Sequence, residues 1–169
     1  MALSHIETII YNKMNNSIFD FGFYHPYVVD FAIVLPIIAL FLHFISILTQ
    51  ADEASSKAYF KVSNLLFFIG AFFIITAYLT GLAEGNDVRQ ALSVEGRGLY
   101  DAHQALGTYI AVGFIFLTFI KTISLFVKKD PLRYIFGTLF SIAMLILIYA
   151  YAIGISLVYD YGAGVVCSG

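Results

Sequence analysis

Four histidines are spread along the 169-residue chain, at positions 5, 25, 43 and 103. Imidazole ligates metals, switches charge near neutral pH and exchanges protons, so these side chains are the first place to look for chemistry. His25 and His103 attract most interest, because each opens a long apolar stretch. Two imidazoles on neighbouring parallel helices, brought to one membrane face, can take the two axial positions of a haem iron, the way a helix bundle binds a b-type cofactor. The same two rings can also serve as interfacial hydrogen-bonding groups, and the spacing leaves both readings open. Around them stand groups that suit a cofactor. Gly107, one turn after His103, leaves room for a flat macrocycle, flanked by Ala102, Ala105 and Ala111. Arg89 and Arg97 can pair with propionates through their forked donors, and Asp101 or Glu95 can orient a ligating ring. Glycine and alanine at such positions also serve close helix packing in membranes.

His43 lies 18 residues after His25, which puts both on one side of a straight helix and about 27 Å apart. That depth lacks a second histidine, so His43 is expected to make a structural contact to Ser46, Tyr59 or Tyr134, with single ligation or a hydrogen bond to a quinone as alternatives. Asp30 is the one carboxylate inside an apolar run. It is expected to anchor a helix start, with Arg97 as a partner, and proton handling is the functional alternative. Cys167 is the only cysteine, so an internal disulfide or a multi-cysteine cluster cannot be built.

These residues need a scaffold, and composition says which. Hydrophobic residues make up 60% of the chain and charged residues 12%, with a mean hydropathy of +0.87. A water-soluble domain of this size cannot hide that much apolar surface. A bilayer span takes roughly 20 apolar residues as a helix, and four stretches qualify: about 26–49, 59–82, 102–127 and 132–159. Lipid offers backbone amides no partner, which forces helix. The expected fold is therefore all-α, an integral membrane four-helix bundle at 25–160. An interfacial segment precedes it at 1–24 and a tail follows at 161–169. Ile6, Ile9, Ile10 and Met14 fit a short amphipathic helix on the membrane, or a partly ordered tail, and the start lacks the pattern of a cleavable leader. Pro36 lies inside the first span, where it is expected to kink the helix. The connector 81–101 reads as the one loop with room for function.

One membrane face collects Lys57, Lys61, Lys121, Lys128, Lys129 and Arg133, against Lys13, Arg89 and Arg97 on the other. The richer face is expected to be cytoplasmic, which sends both termini, the long connector and the His25/His103 pair to the periplasm of a bacterial inner membrane. A net charge of −2 gives no footprint for nucleic acid. Hydrolase, zinc-protease, phosphate-loop and dinucleotide signatures are missing.

The segment His25-Pro26-Tyr27-Val28-Val29-Asp30-Phe31, the Thr80-Gly81-Leu82 ending of the second stretch and Ala102-His103 with Gly107 opening the third have a counterpart. Together they resemble a bacterial group of predicted four-helix membrane proteins of unknown function, over roughly residues 25–127. The group's pattern has a second histidine where Asp30 stands here, and a proline after phenylalanine that Phe31 lacks. The resemblance implies four helices and a membrane location, and it singles out His25 and His103.

Three functions follow as expectations. The first is a subunit of a respiratory electron-transport assembly with haem b between spans one and three, exchanging electrons with a quinone or a periplasmic cytochrome. The second is a cofactor-free structural or assembly subunit of a larger respiratory or photosynthetic complex. The third is a small transporter or channel. None of them makes the chain a stand-alone enzyme.

Overall fold

A computed structural model describes residues 25–127 and 130–163. The interfacial segment at 1–24, with His5 and Lys13, lies outside the described residues, as do Lys128, Lys129 and Cys167. Four helices follow in chain order: α1 (His25–Leu48), α2 (Glu53–Ala91), α3 (Val94–Phe126) and α4 (Asp130–Tyr159). All four hold a stretch long and apolar enough to cross a bilayer. The protein is thus a multi-pass membrane protein, and no strand occurs among the described residues.

The helices run antiparallel in succession, so α1 and α3 share a direction. Packing is closest between α1 and α2 and then between α3 and α4, with a looser seam where α2 meets α3 and α4 meets α1. The molecule is two helical hairpins laid side by side. This corrects one expectation: α1 and α3 are not neighbours but stand diagonally across the bundle, so groups on them meet only in its interior.

A repeat of three and four residues produces the packing. On α1 the buried positions are Ala32, Pro36, Ala39, His43 and Ser46, and on α3 they include Tyr100, Ile110, Phe114, Leu117 and Lys121. That spacing keeps one seam of each helix turned inward over its whole length. Lipid tails are as apolar as leucine, so close fit and interhelical hydrogen bonds hold the helices together more than burial does. Small residues set the α1–α2 distance. A Cβ on Gly70 would lie 2.7 Å from Cγ of Pro36, so the proline ring nests against the bare backbone of α2. Ser63 Oγ donates to the Ala39 carbonyl (2.8 Å) and Ser56 Oγ to the Ser46 carbonyl (2.7 Å). At mid-height Phe67, Phe114, Phe136 and Phe140 fill the interior, with Phe67 edge-on to Phe136 and Phe140 at 5.1 Å.

The connector expected at 81–101 is helical. α2 runs on to Ala91, and only Leu92 and Ser93 separate it from α3. Local chemistry explains the difference. The Ser93 side chain accepts from the Gly96 amide and caps α3. Arg97 donates Nε to the Leu92 carbonyl (3.0 Å), satisfying an oxygen at the turn. Arg89 grips Asp101 with both prongs, at 2.7 and 2.9 Å, tying the two helices together beyond the apolar stretch. At the other end of the bundle Asp52 caps α2, accepting from the Ala54 amide.

A candidate cofactor site between two histidines

His25 starts α1 and leans on α2, where Nδ1 lies 2.9 Å from the Ala77 carbonyl and 3.1 Å from Thr80 Oγ1. His103 sits in the third turn of α3 and leans on α4, where Nδ1 lies 3.0 Å from the Ala150 carbonyl. A carbonyl can only accept, so Nδ1 carries the proton in both rings and Nε2 keeps its lone pair. Among the described residues no hydrogen bond reaches either Nε2.

The two rings rest on the same local device. In a helix the residue four after a carbonyl sits on the same side, one turn on, and that residue is Gly81 after Ala77 and Gly154 after Ala150. A Cβ on Gly81 would lie 2.9 Å from Cε1 of His25, and one on Gly154 would lie 3.1 Å from Cε1 of His103. The missing side chain admits the ring, and the carbonyl below it fixes the ring's turn. His43 uses the device a third time, with Nε2 donating to the Arg133 carbonyl (3.2 Å) over Gly137.

Between the hairpins, a cavity of about 90 Å³ is lined by both His25 and His103, together with Tyr78, Gly107, Ala150 and Tyr151. Two more cavities share His25: one of about 140 Å³ reaches Tyr100 and Gly154, and one of about 50 Å³ reaches Gly107 and Gln104. The gaps follow the loose seam, and the one between the two histidines is almost wholly apolar. Gly107 meets only Tyr78, 3.8 Å from where its Cβ would be, so its bare backbone widens the space instead of seating a neighbour.

The structure therefore brings His25, His103 and Gly107 to one place. The other expected residues lie elsewhere. Arg89 is exposed at the same end with its fork on Asp101, and its side-chain pKa is raised by that carboxylate. Asp101 is committed to that pair, and the oxygens behind the imidazoles come from the backbone instead. Arg97 spends its donors on the Leu92 and Gln90 carbonyls. The expected Asp30–Arg97 anchor is absent among the described residues: Asp30 is exposed on α1 and forms no ion pair. The His43 ring makes a structural contact to the Arg133 carbonyl on α4, and the His43 backbone carbonyl accepts from Ser46 Oγ (2.6 Å), one of the expected partners. His25 and His43 thus dock on different helices despite their shared side of α1.

The roles of Thr80, the three glycine seats and Lys121 are not read from the sequence, although Thr80 and Gly81 stand in the motif that carries the resemblance. The seats pair residues on different helices, which spacing along one chain does not show. Lys121 did leave a signal, being a lysine within an apolar run. It stands among the basic residues that set the expected orientation, but it is 1% exposed and points into the bundle.

Among the described residues no group of three or more histidine, cysteine or acidic side chains is placed to hold a metal ion. The family model described as Predicted membrane protein (DUF2231) matches residues 24–167. No curated protein and no solved structure matches the chain.

Proposed function

The chain belongs to the DUF2231 family of predicted membrane proteins, and for it we propose the role of a membrane electron-transfer subunit that holds a b-type haem between His25 and His103. One observation carries the reading. Two imidazoles from diagonal helices line a common apolar cavity, each with Nδ1–H locked on a backbone carbonyl and Nε2 left as a lone pair. Metal-ligating histidines show this arrangement, because the bond at one nitrogen fixes the tautomer and makes the other a better donor. A bare metal ion would find only two ligands here. A haem, which brings the iron's remaining ligands with it, would be held by His25 and His103 alone.

Bound haem supplies one-electron chemistry. The chain's own residues do the rest. The Gly81 and Gly154 seats aim the rings, Gly107 keeps the space between them open, and the apolar lining excludes water. The cavity of about 90 Å³ is far smaller than a porphyrin, so a macrocycle enters only as the hairpins part along the seam, where they touch least. Arg89 is exposed and can exchange Asp101 for a propionate, while Arg97 is tied more firmly into the turn. In a bacterial inner membrane with the lysine-rich end inside, this site faces the periplasm, where a quinone or a periplasmic cytochrome would exchange electrons with it.

The test is the visible spectrum of the purified protein, oxidised and reduced. Bis-histidine haem absorption is expected, abolished in H25A and in H103A and kept in H43A. Full pigment in the H25A/H103A double variant refutes the proposal. A colourless wild type that travels with other membrane subunits assigns it to the assembly class instead.

A further inference from the structure

At the opposite end of the bundle a second polar cluster lies below the helix ends. Lys121 of α3 places Nζ 4.6 Å from the ring centre of Phe60 on α2 and 4.2 Å from that of Phe136 on α4. His43 of α1 lies against the same two rings, with centroid distances of 6.5 and 5.4 Å. Arg133 of α4 stacks its guanidinium 5.0 Å from the Phe60 centre and donates to Ser46 Oγ at 2.6 Å. All four helices contribute, and Lys121, His43 and Ser46 are buried.

Among the described residues two groups of the cluster lack a complementary partner. Lys121 has no carboxylate within ion-pair distance among the described residues, and a lone ammonium in a membrane interior is costly. His43 gives its Nε2–H to the Arg133 carbonyl, which leaves Nδ1 as an acceptor, and that atom is buried without a partner. An orphan acceptor beside an ammonium that two phenylalanine faces attract but cannot hydrogen-bond defines its complement: a small group with a negative oxygen for Lys121 and an O–H for His43 Nδ1.

We propose that this cluster binds a small hydrogen-bearing oxyanion, such as bicarbonate or dihydrogen phosphate, between Lys121 and His43. Arg133, nearer the helix ends and half-buried, is the cation met on the way in. Above the cluster the four phenylalanines close the interior, so the ligand goes no further toward the His25 end. The site uses none of the residues assigned to the haem.

The test is the thermal midpoint of the purified protein in zwitterionic lipid nanodiscs, at one pH and ionic strength, with bicarbonate, phosphate, nitrate or chloride as the varied anion. Bicarbonate or phosphate is expected to raise the midpoint by a few degrees at saturation. Nitrate and chloride, which have no O–H, are expected to do less. K121M, which keeps the volume and removes the charge, is expected to erase the response, and H43F to abolish the advantage of bicarbonate over nitrate. A wild type indifferent to all four anions overturns the proposal without needing any variant to fold. So does a K121M protein that responds like wild type. Pigment plays no part in this readout, so its failure is separate from that of the haem reading.

Discussion

Adding one methyl group at Gly81 tests whether the glycine seats aim the histidines. The new Cβ would stand 2.9 Å from Cε1 of His25. Ordinary contact begins at 3.4 Å, so the ring must retreat by about 0.5 Å, the difference between the two distances. The bond from Nδ1 to the Ala77 carbonyl starts at 2.9 Å, and a retreat of that size takes it to the edge of hydrogen-bonding range. Overpacking costs about 1–3 kcal/mol and a lost hydrogen bond about 0.5–1.5 kcal/mol. Alanine also gains helix propensity over glycine by about 1 kcal/mol, which masks part of the loss. G98A removes that ambiguity, because nothing lies within 4 Å of a Cβ there. G81A is therefore expected to be less stable than G98A by about 1.5–4.5 kcal/mol, the sum of the overpacking and hydrogen-bond terms. Its pigment content is expected to fall as well. Thermal unfolding in detergent and the absorbance per mole of protein read both effects. Equal stability and equal pigment in G81A and G98A refute the seat as the element that aims His25.

Gly154 is the counterpart under His103, where the retreat needed is smaller, about 0.3 Å from 3.1 to 3.4 Å, so G154A is expected to show the same loss in weaker form. G70A drives a methyl into the Pro36 ring, whose atoms cannot turn aside, and is expected to separate α1 from α2 at a cost of about 1–3 kcal/mol in thermal unfolding. S63A removes the bond to the Ala39 carbonyl and is expected to cost about 0.6 kcal/mol, the usual worth of a hydrogen bond between membrane helices. Hydrogen bonds from Ser55 and Ala54 hold the Asp52 carboxyl below its ordinary pKa. Its contribution to the α2 start is thus complete above the normal carboxylate range and disappears as pH falls through the lowered value. Amide exchange at 53–56 is expected to accelerate at acid pH in wild type but not in D52A.

Much of the scaffold was readable in the residues because lipid allows so few answers. Apolar runs of sufficient length become helices, but the helices outrun them: the stretches expected to begin at about 59 and 102 begin at Glu53 and Val94, capped by Asp52 and Ser93. The stretch 81–101 misled because its polar side chains suit either a loop or a helix standing in water. The Arg89–Asp101 clasp, formed between two helices, decided for helix. The meeting of His25 and His103 at one end was legible from direction alone. Their diagonal placement was not, since hydropathy fixes how many helices cross and says nothing of their order around the bundle. The carbonyl oxygens that orient the rings belong to Ala77 and Ala150, whose side chains announce no role. Lys121 shows the opposite error: it was visible, but a count of basic residues treats an inward lysine like an outward one.

The four phenylalanines packed at mid-height have a consequence for how the two ends of the bundle communicate. They fill the interior between the His25–His103 end and the Lys121–His43 end with interlocked rings. A change of side chain at one end thus reaches the other through the packing of those rings, because a close-packed interior transmits strain.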